Sequence, residues 1–165
     1  MTVDSSWEAA VARARDARVI LVIGETDAGK TSFTTFLAGA LLERGASVGV
    51  VDADLGQSDI GPPTTVGLGR LRLPVERLED AEVVGLYFVG STSPQGHLLP
   101  TVAGTRAMVQ KALRLGFDRV IVDTSGLVQG ELGRLLFQRL PRLLHFPILP
   151  LDLRVLVREK TRLFL

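Results

Sequence analysis

Gly24-Glu25-Thr26-Asp27-Ala28-Gly29-Lys30-Thr31 has the spacing G-x-x-x-x-G-K-[ST]. The two glycines let the backbone turn sharply enough for successive N–H groups to converge on one anion. A helix beginning at the end of this loop would aim its positive dipole end at the same point. Lys30 is then placed to reach the β- and γ-phosphates of a nucleotide, with the Thr31 hydroxyl on Mg²⁺ and Ser32 completing the cradle. The flanks suit the motif. The apolar run Val19–Ile23 precedes it, and the helix-like run Ser32–Leu42 follows. Only Lys30, Lys111 and Lys160 are lysines among 19 basic residues, and one of the three occupies the position that the motif requires.

Acidic residues supply the second chemistry. Asp52-Ala53-Asp54-Leu55-Gly56-Gln57-Ser58 follows the apolar stretch Ser47–Val51. Acids at the carboxyl end of a parallel strand face the crevice where α/β proteins bind ligands. Asp52 and Asp54, one residue apart on extended chain, would point the same way. They are suited to ordering Mg²⁺ or its waters, or to taking a proton from an attacking hydroxyl. Alternatively, Asp52 caps a turn and Asp54 is solvated. Asp123 ends another apolar run, Arg119–Asp123, and is followed by the small-residue turn Thr124-Ser125-Gly126. Such an acid would hold a magnesium-bound water while Gly126 lets backbone approach the γ-phosphate. Gly90-Ser91-Thr92-Ser93-Pro94-Gln95-Gly96-His97 is a further polar loop after a strand-like run. His97 there is a phosphate donor or a loop-stabilising residue, since no metal-ligand set accompanies it.

These residues need an α/β framework. Strands are expected at Val19–Ile23, Ser47–Val51, Val83–Val89, Arg119–Asp123 and Leu153–Val157. Continuous apolar runs of this kind fit a sheet covered on both faces. Helices are expected at Ser6–Arg15, Ser32–Leu42, Pro100–Leu115 and Gly130–Leu144, with Pro141 kinking the last. Trp7, Ala10, Val11 and Ala14 share one face of the first helix, which makes Trp7 a packing residue. Thr65–Leu73 would form short antiparallel pieces after a Gly-Pro-rich segment that cannot be helical. Arg70, Arg72 and Arg77 either touch a phosphate backbone or form a solvated face. The alternation predicts a P-loop NTPase-like three-layer α/β sandwich with a mainly parallel sheet. The acids and the 90–97 loop would then gather at the end where the phosphate loop sits.

The 165 residues amount to one domain, 1–165, long enough for a sizeable core. With 46% hydrophobic and 22% charged residues the chain is globular, and a net charge of +1 neither demands nor forbids nucleic acid. No cysteine is present, which excludes disulfides and thiolate chemistry and fits a cytoplasmic location. No apolar run approaches the ~20 residues of a membrane span, so no membrane partner is expected.

Four stretches together resemble one family, the polynucleotide 5′-hydroxyl kinases related to the RNA-kinase subunit of pre-mRNA cleavage factor and to the ribosomal-RNA-processing kinases. They are the Gly24–Thr31 loop with its unusual Asp27, the Asp52–Ser58 segment with its Gly-Pro-rich sequel, the Gly90–His97 loop, and Asp123–Gly130. The tail Leu151–Glu159 is also similar to the family's next strand and loop. The resemblance implies transfer of the γ-phosphate of ATP, with Mg²⁺, to the 5′-hydroxyl end of RNA or DNA, in RNA processing. It implies nucleotide binding by Gly24–Ser32 and a catalytic role for Lys30 and for the acids Asp54 and Asp52. Asp54 is the candidate to orient or deprotonate the 5′-hydroxyl. Thr31, Asp54 and Asp123 are the implied metal positions, and Gln57, Ser91, Thr92 and Gly126 the substrate-binding ones. Asp27 would point outward, toward the acceptor or the metal's waters, or else stabilise the turn.

Two features depart from the family. Leu127 stands where some eukaryotic members carry a tryptophan that would stack on nucleic acid. The chain also ends where the family continues into an arginine-bearing lid, so a C-terminally truncated domain is expected. That leaves two other readings: an ATP-binding module without kinase activity, acting as scaffold or switch, and a P-loop kinase or ligase for a small metabolite.

Overall fold

The computed structural model describes residues 5–14, 16–24 and 27–124, and the backbone of two later strands, 153–158 and 163–164. The elements run α1 (Ser5–Ala14), β1 (Val19–Gly24), α2 (Lys30–Leu42), β2 (Val48–Ala53), β3 (Thr65–Leu71), β4 (Glu82–Phe88), α3 (Leu98–Arg114), β5 (Arg119–Thr124), β6 (Leu153–Arg158) and β7 (Leu163–Phe164). They form one seven-stranded sheet in the order β4-β3-β2-β5-β1-β6-β7. The strands β2, β5, β1 and β6 are mutually parallel. The margins are antiparallel: β3 pairs against β2, β4 against β3, and β7 against β6. The mainly parallel sheet is thus a parallel centre with antiparallel borders.

The alternation of side chains along the central strands produces two cores. Ile20, Val22, Val48, Val50 and Ile121 face one way, beneath Phe33, Leu37 and Leu41 of α2 and Ala10, Val11 and Ala14 of α1. Val19, Leu21, Ile23, Val51, Val120 and Val122 face the other way, against Val102, Met108, Val109 and Ala112 of α3. That is the three-layer arrangement expected, and it accounts for the unbroken burial of β1 and β2. Trp7 packs edge-on against Phe33, with ring centroids 5.3 Å apart, and tilted against Phe36. It is a packing residue, half-buried against the core, as its place on the α1 face predicts.

Helix ends follow local rules. After α2, Gly45 adopts a left-handed φ of 83° and the amides of Gly45 and Ala46 return to Leu42 and Leu41. Gly116 does the same for α3 with φ 81°. Two boundaries differ from expectation. The helix after the phosphate loop begins at Lys30 itself, and α3 begins at Leu98, before Pro100, which its first turn tolerates. The candidate helix 130–144, with Pro141, lies outside the described residues, as do Gly126, Leu127, Glu25 and Thr26.

Candidate nucleotide and acceptor site

The carboxyl ends of β1, β5, β2 and β4 point to one edge of the sheet, and every described loop singled out above leaves from that edge. The phosphate loop joins β1 to α2. Asp27 takes a left-handed φ of 58° and Gly29 one of 76°, next to the first residue of the helix. Asp27 is exposed and Ala28 buried, so the carboxylate lies on the outside of the turn. The first-turn amides of α2, from Lys30 to Ser32, give the loop its anion preference.

Lys30 is only 7% exposed. Burial lowers its pKa, while the charges of Asp123, Asp54 and Asp27 hold it up. A desolvated ammonium among carboxylates is suited to meeting the phosphates of an incoming nucleotide.

Asp52 and Asp123 are register partners on neighbouring parallel strands, and both side chains lie on the α2 face. Asp123 is almost fully buried. Its pKa rises to about 7, chiefly from burial and then from the charge of Asp52; a hydrogen bond with the Thr31 side chain and the charge of Lys30 oppose the rise. One carboxylate oxygen, Oδ1, is buried with no protein partner. A buried acceptor left open beside the loop's threonine is what a Mg²⁺ site of this class requires. No group of three or more His, Cys, Asp or Glu capable of holding a metal exists among the described residues.

Asp52 behaves differently from the expectation that it stands past its strand and acts on substrate. It lies within β2, and both of its oxygens are occupied. Oδ1 accepts the Asp54 amide at 2.9 Å, and Oδ2 accepts Asp59 N at 2.7 Å, Ile60 N at 3.0 Å and Ser58 Oγ at 3.2 Å. Burial raises its pKa to about 6 against these bonds. Its carboxylate therefore organises the 54–60 loop, which is the turn-capping alternative. Replacing it with Asn leaves one side unable to accept, at a cost of about 1–3 kcal/mol. Asp52→Asn is expected to melt several degrees lower, with faster amide exchange at Asp59 and Ile60; unchanged exchange there would contradict this role.

Asp54 follows the strand and is half-buried. Its Oδ1 accepts the amides of Gly56 and Gln57, each at 3.1 Å, and the charge of Asp54 reaches both Lys30 and Asp123. The Gln57 side chain is exposed at the tip of the same turn.

The 54–60 loop is seated by close backbone approaches. A Cβ on Gly67 would lie 1.7 Å from the Ile60 carbonyl oxygen, so only glycine lets the loop rest on β3. A Cβ on Gly56 would lie 2.9 Å from the carbonyl oxygen of Thr92. The Asp54 turn and the 90–97 loop therefore touch, although 36 positions separate Gly56 from Thr92. Thr64 joins them at the base. Its amide donates to the Leu55 carbonyl at 3.0 Å, and its own carbonyl accepts from Val89 at 2.9 Å and Gly90 at 3.2 Å. It does so at φ 73°, a conformation that a β-branched residue takes only when its surroundings compel it. Within the 90–97 loop Ser91 is turned inward: its Oγ donates to the Ser93 carbonyl at 2.8 Å and accepts the Ser93 amide at 3.2 Å. Thr92 is exposed. His97 precedes α3, and its carbonyl accepts the Thr101 hydroxyl.

Gly56→Ala must push the two loops apart by several tenths of an ångström, since a backbone oxygen cannot swing away as a side chain would. The variant is expected to keep its nucleotide affinity and its melting temperature within a few degrees, and to lose about tenfold in affinity for whatever acceptor lies between the loops. Parallel titrations of nucleotide and acceptor check this.

The arginines resolve toward a structural role. Arg72 bonds Glu82 through Nε and Nη2, Arg77 pairs with Glu79, and Arg70 lies over the Phe117 ring at 5.5 Å. Arg70 and Arg72 are at the far end of β3, away from the phosphate loop.

Fold, phosphate loop and the Thr31–Asp123 pair together define a P-loop domain of the α/β class. The particular family follows from comparison. The P-loop family of the mRNA cleavage and polyadenylation factor CLP1 matches residues 24–146, well over half of the chain, and the chain belongs to it. A polyribonucleotide 5′-hydroxyl-kinase of Thermococcus kodakarensis is 39% identical over 111 residues, covering 67% of this chain and 31% of that protein. A second, from Pyrococcus abyssi, is 34% identical over 112 residues, covering 68% and 31%. A CLP1 homolog of Brugia malayi is 29% identical over 124 residues, covering 68% and 28%. The chain thus spans about a third of the length of these relatives. Among solved structures, the signal recognition particle receptor FtsY of Elizabethkingia anophelis, in complex with GDP, aligns with a TM-score of 0.51 at 17% identity. That alignment covers 90% of this chain and 46% of FtsY, and is a likeness of fold. No helix among the described residues is long and apolar enough to cross a membrane.

Proposed function

We propose that this domain carries the ATP-dependent transfer of a phosphoryl group to the 5′-hydroxyl end of RNA or DNA. The observation that carries the reading is the contact between the Asp54 turn and the 90–97 loop at Gly56 and Thr92. Two loops held together beside a phosphate loop suit a second substrate, where a nucleotide-binding switch needs only the phosphate loop. The names of the archaeal relatives, polyribonucleotide 5′-hydroxyl-kinases, support the same conclusion.

In this reading the amides of Gly24 to Ser32 and the Lys30 ammonium hold the β- and γ-phosphates. Thr31 and Asp123, together with Asp54, would hold Mg²⁺, which would supply charge neutralisation on the phosphates. Asp54, whose second oxygen is free of the turn bonds to Gly56 and Gln57, orients the attacking hydroxyl and takes its proton. Asp52 sets the turn that presents Asp54. Thr92, Ser91 and Gln57 serve the acceptor side, and a substrate-binding role for Gly126, which lies outside the described residues, belongs to the same reading. RNA processing and a cytoplasmic setting belong to the same proposal.

The test is an acceptor screen with γ-labelled ATP and magnesium. Label is expected at the 5′ end of 5′-hydroxyl oligonucleotides and absent from 5′-phosphorylated controls. Label passing only to nucleosides or other small metabolites, or tight ATP binding with no transfer to any acceptor, would overturn it.

A further inference from the structure

Phe88, the last residue of β4, is 74% exposed. The fold gives no reason for an aromatic ring there. β4 is an edge strand, and such positions ordinarily carry charge or short polar groups. Three observations say where the ring stands. It is the register partner of Thr65, two residues before Gly67, which carries the Ile60 end of the Asp54 loop. Phe88 is therefore on the sheet face that bears the acid loop, α2 and the Asp52–Asp123 pair. The ring also leans over the first residue of the 90–97 loop: a Cβ built on Gly90 would meet its Cε1 at 3.4 Å and Cζ at 3.5 Å. Finally, β4 lies two strands from β2, which puts the ring about 10 Å to the side of the Asp52 column.

Resting on the kinase reading above, we propose that Phe88 is the platform on which the acceptor strand stacks its first or second base. A 5′-hydroxyl held at Asp54 leaves the following nucleotides to run outward past Thr92, along the border formed by β4 and the 90–97 loop. A ring lying against Gly90 and otherwise open offers a base one flat, apolar surface. Such a contact tolerates any base, because every base has a π-face.

The experiment titrates 5′-hydroxyl oligoribonucleotides carrying 2-aminopurine at the first, second or third position. They are added to the unaltered protein and to Phe88→Ala, Phe88→Leu and Phe88→Trp, with magnesium and a non-transferable ATP analogue. The Ala and Leu variants are expected to bind about 5- to 100-fold more weakly, with loss of quenching at one of the first two positions. The Trp variant is expected to keep affinity and quenching, and all three to keep affinity for the ATP analogue. Equal oligonucleotide binding by Phe88→Ala, with phosphorylation of the oligonucleotide retained, would overturn the platform and leave the kinase reading standing. A protein that labels only small metabolites would remove that reading and the platform with it. A change in sedimentation with no change in oligonucleotide binding would show that the ring covers a protein surface, and would also overturn the proposal.

Discussion

Lys30→Ala is expected to lower phosphoryl transfer to a 5′-hydroxyl oligonucleotide by about 10²–10³-fold, the loss typical of removing one preorganised charge from a transition state. The reason lies in its surroundings. The side chain is buried at the start of α2, where burial lowers its pKa and the charges of Asp123, Asp54 and Asp27 oppose that fall. Alanine removes the charge that would follow the γ-phosphate and leaves three carboxylates without their shared counter-ion. A second consequence accompanies the loss of rate: relative to the unaltered protein, the ligand-free variant should gain stability as pH falls from 8 through about 7 and Asp123 takes up its proton. Lys30→Arg separates the two effects. It keeps the positive charge, so the pH dependence of melting returns to that of the unaltered protein, but a planar fork on a longer stem does not reproduce a compact ammonium inside the loop, and turnover stays low. Steady-state rates and melting curves of both variants across pH decide the matter. Transfer by Lys30→Ala within tenfold of normal would remove the lysine from the mechanism.

The parts of this site that were legible in the sequence are those whose chemistry is local. Gly24, Gly29, Lys30 and Thr31 act within one turn, so their spacing alone defines the cradle. Asp123 is legible because four residues of strand precede it and fix which way it points. Asp52 was misplaced by the same local logic. Its partners are the amides of Asp59 and Ile60, seven and eight positions on, and they reach it only because Gly67, on another strand, leaves room for the Ile60 carbonyl. The Gly56–Thr92 approach and the hub at Thr64 are equally invisible, since nothing in either segment announces the other. β4 shows a further limit of periodicity. The run Val83–Val89 is as apolar as a central strand, yet it lies at the border, with Val83, Leu86 and Phe88 exposed. Pattern reports that a segment is extended; only the strand order reports which neighbours it lacks.

Asp123→Asn should abolish magnesium-dependent transfer while making the ligand-free protein more stable above neutral pH, and this opposition follows from one carboxyl group. Burial and the neighbouring Asp52 raise the Asp123 pKa from 3.8 to about 7. Repulsion between the two acids is mutual, but Asp52 has four hydrogen-bond donors and Asp123 has an oxygen with none, so Asp52 ionises first and Asp123 bears the cost. A carboxyl whose folded pKa lies above its unfolded value stabilises the fold fully below the unfolded value. That stability is lost as pH rises through the folded value. The ligand-free protein should therefore weaken between about pH 4 and pH 8, the last part of the fall belonging to Asp123. Asparagine is neutral throughout and nearly the same shape, so its profile should be flatter, crossing above the unaltered protein near pH 7. The difference at pH 8 should be about 2–4 kcal/mol, or at least ~5 °C in Tm. Magnesium and ATP reverse the order. A cation beside Asp123 favours the carboxylate, so nucleotide with magnesium should raise the melting temperature of the unaltered protein most at high pH, with release of a proton, and should raise that of Asp123→Asn little. Melting curves from pH 5 to 8.5, with and without Mg²⁺ and ATP, contain the whole comparison. An Asn variant that melts below the unaltered protein at every pH would show that the carboxylate is structural. One that keeps its full magnesium response would place the ion elsewhere. In the proposed reading, the unfavourable buried charge of Asp123 is the one that would hold the metal with its nucleotide.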